Sequence, residues 1–560
     1  MPLLHATLPR RLLPSSLRLA RLLAACLLLA GLLGGALPRT PRAATAEEVA
    51  PDAALDQRIR HLLRRTSFGV RASDVAEVKR LGIEAWLARQ LDPEAIPDRE
   101  VEDRLKGFES LKLSGAEYWR MLDERAPREM VPGQGEDRIA AAQRRQAEAN
   151  RLRELAAREV PASVLLRAVY SQRQLQEVLL DFWRNHFNVD VSKDDVRYYV
   201  AEWEGQVLRQ HLWGSFEDLL LATAKHPAML YYLDNHVSQA PLARADRVLR
   251  GRDDTRTNGL NENYARELME LHTVGVDNGY DQDDVTQLAL VLTGWSIGNT
   301  PADRGTFVFR EAFHARGPKR VMGKTVKAEG VGEGEDMVRF LAQHKNTRQF
   351  VCTKLVRFLV ADTPPESIVK AAVDTWAKTK GSLREVVRSI LLHPDFQAPQ
   401  NVATKAKTPF EFVASALRVT GADVQAPETV MSRLSDMYQD LYRCEDPTGY
   451  SDRAVDWMDP GVLAVRWQFA ADLLAGRLAG VKVDQSPLLG ESRQNPEVWE
   501  YVLVDGLLAG QQPGTLTMAP FRKRINEVRR TVRQMRPQER QREFNVLATL
   551  LLGAPEFQRQ

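Results

Sequence analysis

Cysteine is scarce in this sequence: only three of the 560 residues are cysteines. Cys26 lies in an apolar N-terminal segment, which leaves Cys352 and Cys444 for the rest of the chain. Two cysteines in a chain of this length do not make a disulfide framework, although they are free to pair in an oxidising compartment. No cysteine pattern indicates a zinc site. A small disulfide-stapled scaffold is therefore excluded.

The short motifs of several well-known enzyme classes are also missing. The chain has no HExxH and no GxxxxGK[ST], so a thermolysin-like zinc protease and a phosphate loop have no support. The acidic run from Asp281 to Asp284 lacks the glycine and distal glutamate of an EF-hand. We predict instead that Asp283 and Asp284 cap a helix.

A basic and then apolar N-terminal segment predicts a signal peptide over residues 1–46. Four arginines lead into an apolar run from Leu22 to Leu37, and Ala44 to Ala46 are small enough for a signal peptidase. The protein is therefore predicted to be exported, periplasmic or extracellular. The run is shorter than the ~20 residues of a spanning helix, so no transmembrane anchor is expected after cleavage. Lipid anchoring at Cys26 is a minor alternative, because this cysteine lies in the middle of the run.

Removing the signal peptide reverses the charge of the chain. The segment holds six of the 77 basic residues and none of the 74 acidic ones, so the mature chain has 71 basic against 74 acidic residues. No positive surplus remains to attract nucleic acid, and no cluster of arginine and aromatic residues resembles a recognition motif. We therefore expect no nucleic-acid partner.

The remaining chain has the apolar periodicity of helices. Apolar residues recur at spacings of three and four in SVLLRAVYSQRQLQEVLLDFWRNHF, SLREVVRSILL and EFNVLATLLLG, among others. Strand patterns are confined to residues 305–326, where FVFREAFHA and KRVMGKTVK flank Arg316-Gly317-Pro318. The sequence therefore predicts an all-α fold, a multi-helix bundle-like array with one short β-hairpin excursion.

The length of the mature chain indicates more than one packed unit. After the signal peptide we predict an N-terminal helical region over residues 47–235, with a charged helical arm at about 133–159. A polar loop, signature helices and the hairpin follow over residues 236–330. A C-terminal helical region occupies residues 331–560.

Six motifs follow one another along the chain. They are HLLRRTSFG from His61, FWRNHF from Phe182, NENYARELMELHTVGV from Asn261, LTGW from Leu292, GPKRVMGKT from Gly317 and DPTGYSDRAVDWMDPG from Asp446. In this order they resemble the motifs of one bacterial exported family, catalogued as domain of unknown function 1800. The resemblance covers nearly all of the mature chain and implies an exported protein without an established activity. It also implies a partner, because such proteins are often encoded beside a second exported family, domain of unknown function 1501, which is similar to phosphatases and sulfatases.

The signature helix that begins near Asn261 has an unusual density of polar residues on helical spacing. Glu262, Arg266 and Glu270 fall on one ladder, where an arginine between two carboxylates makes a satisfied structural network. That network leaves Asn263, Glu267 and His272 as positions for a ligand.

A catalytic hypothesis joins this helix to the FWRNHF motif. His186 would meet Glu267, Glu270 and His272 if the two helices pack together, and converging carboxylates and imidazoles build metal or acid/base sites in helical proteins. Glu270 and His272 are two residues apart, which departs from the di-iron spacing, so the metal is unknown and a divalent ion is left open. A hydrogen-bonded core role for His186 among aromatic residues is the alternative.

Three functions follow from these patterns. The first is a binding or assembly protein of the cell envelope that acts with the phosphatase-like companion. The second is a metal-assisted or acid/base hydrolase, and the third is a purely structural envelope protein. The candidate ligand-binding residues are Asn185, Asn263, Arg266, Trp295, Tyr450 and Trp457.

Overall fold

Helices dominate the computed structural model, which describes residues 46–125, 135–193, 195–241, 259–327, 329–483 and 495–560. These ranges contain 22 α-helices and six strands of two or three residues. The predicted all-α class is therefore confirmed. The predicted signal peptide, apart from Ala46, and most of the polar loop before the signature helix lie outside the described residues.

The helices are numbered here in chain order. Up to residue 292 the helices are α1 (Ala46–Thr66), α2 (Ala72–Leu81), α3 (Ile83–Gln90), α4 (Arg99–Leu105), α5 (Gly115–Arg125), α6 (Gly135–Tyr170), α7 (Gln174–His186), α8 (Val200–Glu202), α9 (Phe216–Lys225), α10 (Pro227–Tyr232), α11 (Asn263–Glu270) and α12 (Gln282–Leu292). After it they are α13 (Val331–Gln343), α14 (Lys345–Leu359), α15 (Glu366–Thr379), α16 (Leu383–Leu391), α17 (Pro409–Val419), α18 (Pro427–Ser435), α19 (Pro460–Leu474), α20 (Trp499–Leu508), α21 (Thr515–Thr531) and α22 (Pro537–Leu552).

Local capping explains where several helices begin. Thr408 caps α17 through a capping box with Glu411, and Pro409 occupies the first helical position, where its missing N–H costs nothing. The N-cap of α12 is Asp281, whose side chain accepts from the backbone N–H of Asp284. The acidic run therefore caps this helix as expected, but the capping residue is Asp281 rather than Asp283.

The strands form three separate antiparallel pairs in the described part of the chain. β1 (Trp295–Ile297) pairs with β2 (Phe307–Phe309), and β3 (Arg320–Val321) pairs with β4 (Lys324–Thr325). The third pair joins β5 (Ala422–Val424) to β6 (Val481–Val483). The expected pairing of FVFREAFHA with KRVMGKTVK is wrong, because each of the two segments finds a nearer partner across its own turn.

The predicted charged arm falls within α6, apart from residues 133 and 134, which lie outside the described residues. Ile139, in the first turns of this helix, is exposed, whereas Leu152 and Ala156 are completely buried. The helix thus runs from solvent into the core, where its last turns lead to α7.

Residues Leu55–Gln560 form one compact unit, with α7 deep in its core. Eleven of the 13 residues of α7 are buried, including Glu177 and Arg184, so this helix brings charges into the interior. Both cysteines in the described ranges are free, and Cys352 is the small buried core residue that its apolar surroundings predict. Within those ranges no helix is long and apolar enough to cross a membrane.

Candidate functional site

The buried helix α7 carries the FWRNHF motif at its C-terminal end. Its spacing places Asp181, Arg184 and Asn185 at i, i+3 and i+4, so their side chains leave the helix on the same side. That side faces α14 and the loop of residues 439–457, which includes the DPTGYSDRAVDW motif. Two of the six signature motifs therefore meet at this place, which we call the junction.

Arg184 is the centre of a buried charge network below the junction. Its guanidinium donates to both oxygens of Glu204, at 3.1 Å each, and to Asp181 Oδ1 at 3.0 Å. The Tyr442 hydroxyl donates to the same Glu204 carboxylate. Bidentate arginine–carboxylate pairs are among the stronger hydrogen-bonded contacts, and this one joins α7 to the segment that carries Glu204. The Tyr442 hydroxyl ties the loop to the same carboxylate.

A π-helical segment, Trp203–Arg209, completes this network. Its wider turn places Glu204 and Arg209, five residues apart, on one face, with Arg209 Nη2 3.3 Å from Glu204 Oε1. Arg209 also donates to both oxygens of Glu177, at 2.7 and 3.1 Å. Two arginines thus neutralise two buried carboxylates, with Asp181 as an additional acid.

The carboxyl groups of this network differ in their acidity. Burial alone would raise the pKa of Glu204, but Arg184 and Arg209 lower it to about 2. Burial dominates at Asp181 and raises its pKa to about 7, despite the contact with Arg184. Asp181 is therefore the group of the network that gains or loses a proton near neutral pH.

The raised pKa of Asp181 predicts a pH-dependent effect of Asp181→Asn. An acid whose pKa is higher in the folded than in the unfolded state stabilises the fold less as pH rises from its unfolded to its folded pKa, here from about 4 to about 7. We therefore expect the free energy of unfolding of Asp181→Asn, relative to that of the unchanged protein, to be higher at pH 8 than at pH 5 by about 1 kcal/mol or more. Urea unfolding of both proteins at pH 5, 6, 7 and 8 measures this difference. A difference that stays constant over this range contradicts the assignment.

Asparagine side chains fasten the 439–457 loop to the end of α7. Asn185 donates from Nδ2 to the Tyr450 carbonyl and accepts at Oδ1 from the Tyr450 N–H, both at 2.7 Å. Asn188 donates to the carbonyls of Cys444 and Asp446 at 2.8 and 3.0 Å. Gly449 has a φ of 77° and lies so close to Asn185 that a Cβ atom would be 2.5 Å from its carbonyl oxygen. Asn185 of one motif and Gly449 of the other therefore lie at the same contact between the loop and α7.

A cavity of about 40 Å³ lies at the junction. Its walls include Asp181, Asn185, Phe358, Tyr450 and Asp452. This space admits about three water molecules, or the polar end group of a larger ligand.

The Asp452 carboxylate in the cavity wall has no direct partner among the described residues. It is half-buried, and it forms neither a hydrogen bond nor an ion pair with any of them. Burial raises its pKa. Asp452 is therefore a poorly solvated group that is open to a ligand.

The ladder predicted for the signature helix is only partly present. Arg266 lies 3.3 Å from Glu270 Oε1 and also donates to Gln282 at 2.7 Å. Glu262 accepts instead from Gln282 and Thr286 of α12, at 2.8 and 3.0 Å. The expected pair of Arg266 with Glu262 is therefore replaced by contacts that dock α11 on α12.

The other candidates of this helix lie near its surface. Asn263 is exposed. Glu267 is half-buried, and burial, followed by the charge of Glu270, raises the pKa of its carboxyl. The charge of Asp446 contributes to the same shift.

The two histidines meet, as the catalytic hypothesis requires. His186 Nε2 lies 3.2 Å from the His272 carbonyl oxygen, and the ring centroids are 6.2 Å apart. Both residues are almost fully buried, at 2% and 1% exposure, and Phe187 contacts both rings. Burial lowers the pKa of both imidazoles, to about 3 for His272, so they are neutral at pH 7.

This placement favours a core role for the histidines. In the described part of the chain, neither ring hydrogen-bonds or ion-pairs with the carboxylates of Glu267 or Glu270. No group of three or more histidine, cysteine, aspartate or glutamate side chains gathers there in a way that could hold a metal ion. The catalytic role of these four residues stays a prediction.

The aromatic candidates are divided between the junction and the core. Tyr450 lines the cavity, and its ring centroid lies 6.0 Å from that of Trp457, which donates from Nε1 to the Ser451 carbonyl at 2.8 Å. Trp295 is completely buried and packs against Gly334, where a Cβ atom would be 2.3 Å from the indole. The structure thus brings Asn185, Tyr450 and Trp457 together and places Trp295 in the core.

The sequence interpretation missed Asp181 and Asp452 as site residues. Asp181 stands within an apolar helical pattern, EVLLDFW, where a charge is costly unless it has a partner. A charged residue in such a pattern is a signal by which Asp181 could have been identified. Asp452 stands in a quoted motif, but only the fold shows that its carboxylate lies beside the cavity and has no partner.

A scan against protein-family models matches residues 61–559 to the family described as "Protein of unknown function (DUF1800)". No curated protein and no solved structure matches the chain significantly. The match includes all the residues of the junction.

Proposed function

The chain belongs to the DUF1800 family of proteins of unknown function, and we propose that it is a binding protein of the bacterial cell envelope. It binds envelope material at the junction cavity and acts beside an exported phosphatase- or sulfatase-like companion. Export rests on the signal peptide predicted over residues 1–46, and the companion on the family resemblance.

The observation that carries this proposal is the unpaired Asp452 carboxylate at a cavity between two signature motifs. A charge that is removed from water without a partner costs free energy, and a ligand of complementary charge recovers that cost. The wall of this cavity is mostly polar, with aromatic surface from Phe358 and Tyr450, so it suits a polar or charged group. The cavity is small, so it fits an end group of a larger ligand.

A hydrolase is the second candidate, and one observation favours it. Glu267, Asp181 and Asp452 all have raised pKa values, as carboxyl groups that transfer protons often do. The buried imidazoles of His186 and His272 support it less, because a general base needs access to its substrate. A purely structural envelope protein is third, and it leaves the unpaired Asp452 carboxylate unexplained.

Binding to isolated envelope material tests the first candidate. We expect the purified protein to sediment with a cell-envelope fraction from its source bacterium, and Asp452→Asn to weaken the apparent affinity at least about tenfold, or ~1.4 kcal/mol. Asp283→Asn is the matched control, because Asp283 is an exposed aspartate of α12 away from the cavity. We expect it to bind as the unchanged protein does.

Two results would contradict the proposal. One is that the unchanged protein stays in the supernatant at all concentrations, and the other is that Asp452→Asn and Asp283→Asn bind alike. If the unchanged protein hydrolyses the envelope fraction and Glu267→Gln does not, the result favours the second candidate. Co-purification of the companion with the unchanged protein tests the partner separately.

A further inference from the structure

A second cavity, of about 30 Å³, lies between α1, α17 and the segment that follows α22. Its walls include Arg64, Lys407 and Ser415, and we call it the lysine cavity. The space admits about two water molecules, or one small end group of a larger molecule. It is separate from the junction cavity, because the two have no lining residue in common.

Lys407 brings a buried charge to the wall of this cavity. Its side chain is only 8% exposed, and its ammonium donates to Ser415 Oγ at 2.9 Å. The ammonium also lies 3.9 Å from the centroid of the Phe557 ring. In the described part of the chain it has no other hydrogen bond and no ion pair, although an ammonium has three N–H donors. A cation removed from water in this way is costly unless an anion comes to it.

Arg64 supplies a second positive group to the same wall. One end of its guanidinium, Nη2, donates to the carbonyls of Leu508 and Ala509, at 3.0 Å each. These contacts hold the guanidinium in place but do not neutralise it. Like Lys407, Arg64 forms no ion pair with a carboxylate of the described residues. Two cations without an anionic partner therefore border one small space.

We propose that the lysine cavity binds a carboxylate group, with one oxygen towards Lys407 and the other towards Arg64. A carboxylate fits the small volume and is the group that charged N–H donors bind well. Glu556 also lines the cavity, and its charge disfavours an anion with two charges, such as phosphate or sulfate. The Glu556 carboxylate does not satisfy the two cations, because it accepts from the Gly514 N–H and the Thr517 hydroxyl, at 2.7 and 2.8 Å.

The carboxylate has two sources, a free small acid or the acidic end of a longer molecule. Arg559 lines the cavity and is exposed, so the space reaches the surface there. This site lies apart from the junction, and it goes beyond the proposed function.

The protonation of Lys407 is coupled to binding. Burial lowers the pKa of Lys407 to about 7, Glu411 opposes this shift, and neighbouring cations add to it. A bound carboxylate favours the ammonium and raises the pKa again. We therefore expect proton uptake on binding at pH 8, and an affinity that falls about tenfold from pH 6 to pH 8. The charged groups that surround Lys407 are Arg64 and Arg65 of α1, Glu411 of α17, Arg466 of α19 and, in the cavity wall, Glu556 and Arg559.

Calorimetric titration of the purified protein with sodium acetate tests the site. We expect acetate to bind at pH 6, and both Lys407→Met and Arg64→Met to weaken this binding at least tenfold. Titrations at pH 8 in two buffers with different ionisation enthalpies measure the proton uptake, which should be absent in Lys407→Met. The matched control is Lys378→Met, at an exposed lysine of α15, and it should change nothing.

Circular dichroism melting of each variant shows whether a loss of binding comes from unfolding. Lys407→Met puts an apolar side chain of similar length into a buried position, so we expect it to stay folded. Arg64→Met also loses two hydrogen bonds to carbonyls, so Lys407→Met is the decisive variant if Arg64→Met unfolds.

N-acetylglycine and its amide distinguish the two sources. If the cavity holds the acidic end of a longer molecule, N-acetylglycine binds at least as tightly as acetate and the amide does not bind. If the cavity holds a free small acid, acetate binds and N-acetylglycine does not.

Three results would overturn the inference. They are the absence of acetate binding at pH 6, acetate binding that is unchanged in folded Lys407→Met, and binding of chloride or phosphate that is tighter than that of acetate. None of them affects the proposed function, because the two cavities have no lining residue in common. Equal envelope binding by Asp452→Asn and Asp283→Asn would contradict the proposed function and leave the lysine cavity as a carboxylate site.

Discussion

Replacement of Arg184 by methionine is expected to lower the free energy of unfolding by about 3–5 kcal/mol, because it leaves buried carboxylates without their cation. Arg184 binds both oxygens of Glu204 and also contacts Asp181, and the side chains of Arg184 and Glu204 are 7% and 6% exposed. Arg209 keeps only one contact with Glu204, at 3.3 Å, so it cannot replace the lost pair. Urea unfolding at pH 7, followed by circular dichroism, measures the loss.

The control for Arg184→Met is Arg266→Met on the signature helix. Arg266 also forms an ion pair, with Glu270 at 3.3 Å, but both partners are partly exposed, and pairs of this kind contribute about 0–1 kcal/mol. If the two substitutions cost the same, the buried network does not have the stabilising role that its geometry indicates. If Arg184→Met lowers the free energy of unfolding only slightly at pH 7, Asp181 and Glu204 have become protonated in the variant and no longer need a cation.

Replacement of Gly449 by alanine is expected to cost about 2–4 kcal/mol and to weaken envelope binding at the same time. The φ of 77° strains any residue with a Cβ atom, and the added atom would lie 2.5 Å from the Asn185 carbonyl oxygen. Since that oxygen belongs to the backbone of a core helix, the loop has to move away. Urea unfolding and the envelope sedimentation assay measure the two effects.

The control variant Gly476→Ala separates the cost of backbone strain from the cost of the close approach to Asn185. Gly476 has a φ of 68°, but nothing lies within 4 Å of an added Cβ atom, so only the backbone strain of about 1–2 kcal/mol remains. We expect this variant to bind envelope material normally. Equal costs for the two glycine variants would show that the close approach to Asn185 is not important.

The helical part of the fold was predictable because it depends on local patterns. Apolar periodicity located α7, α16 and α22, and the acidic run before α12 acts as its cap. Strand pairing was not predictable to the same extent. A segment such as Phe307–Phe309 has the same residues whichever strand it pairs with, and the choice of Trp295–Ile297 depends on turn geometry and packing.

The site was predictable only in its outline. The motifs indicated that Asn185 and Tyr450 matter, and the structure joins them by two hydrogen bonds. The polar density of the signature helix, in contrast, is explained largely by its docking on α12, through Glu262 and Arg266. Spacing along one helix shows which side chains share a face, but it does not show what another helix places opposite them.

The sequence by itself determined the helical class, the family and the motifs that matter, because periodicity, capping and motif order are properties of neighbouring residues. The tertiary structure decided which polar groups have partners. His186 and His272 look reactive in the sequence and prove to be buried neutral rings, whereas Asp452 looks ordinary and proves to be unpaired in the cavity wall. Partners can lie far apart in the sequence, as Asn185 and Tyr450 do at a separation of 265 residues, and the free energy of a charge depends on what lies beside it in space.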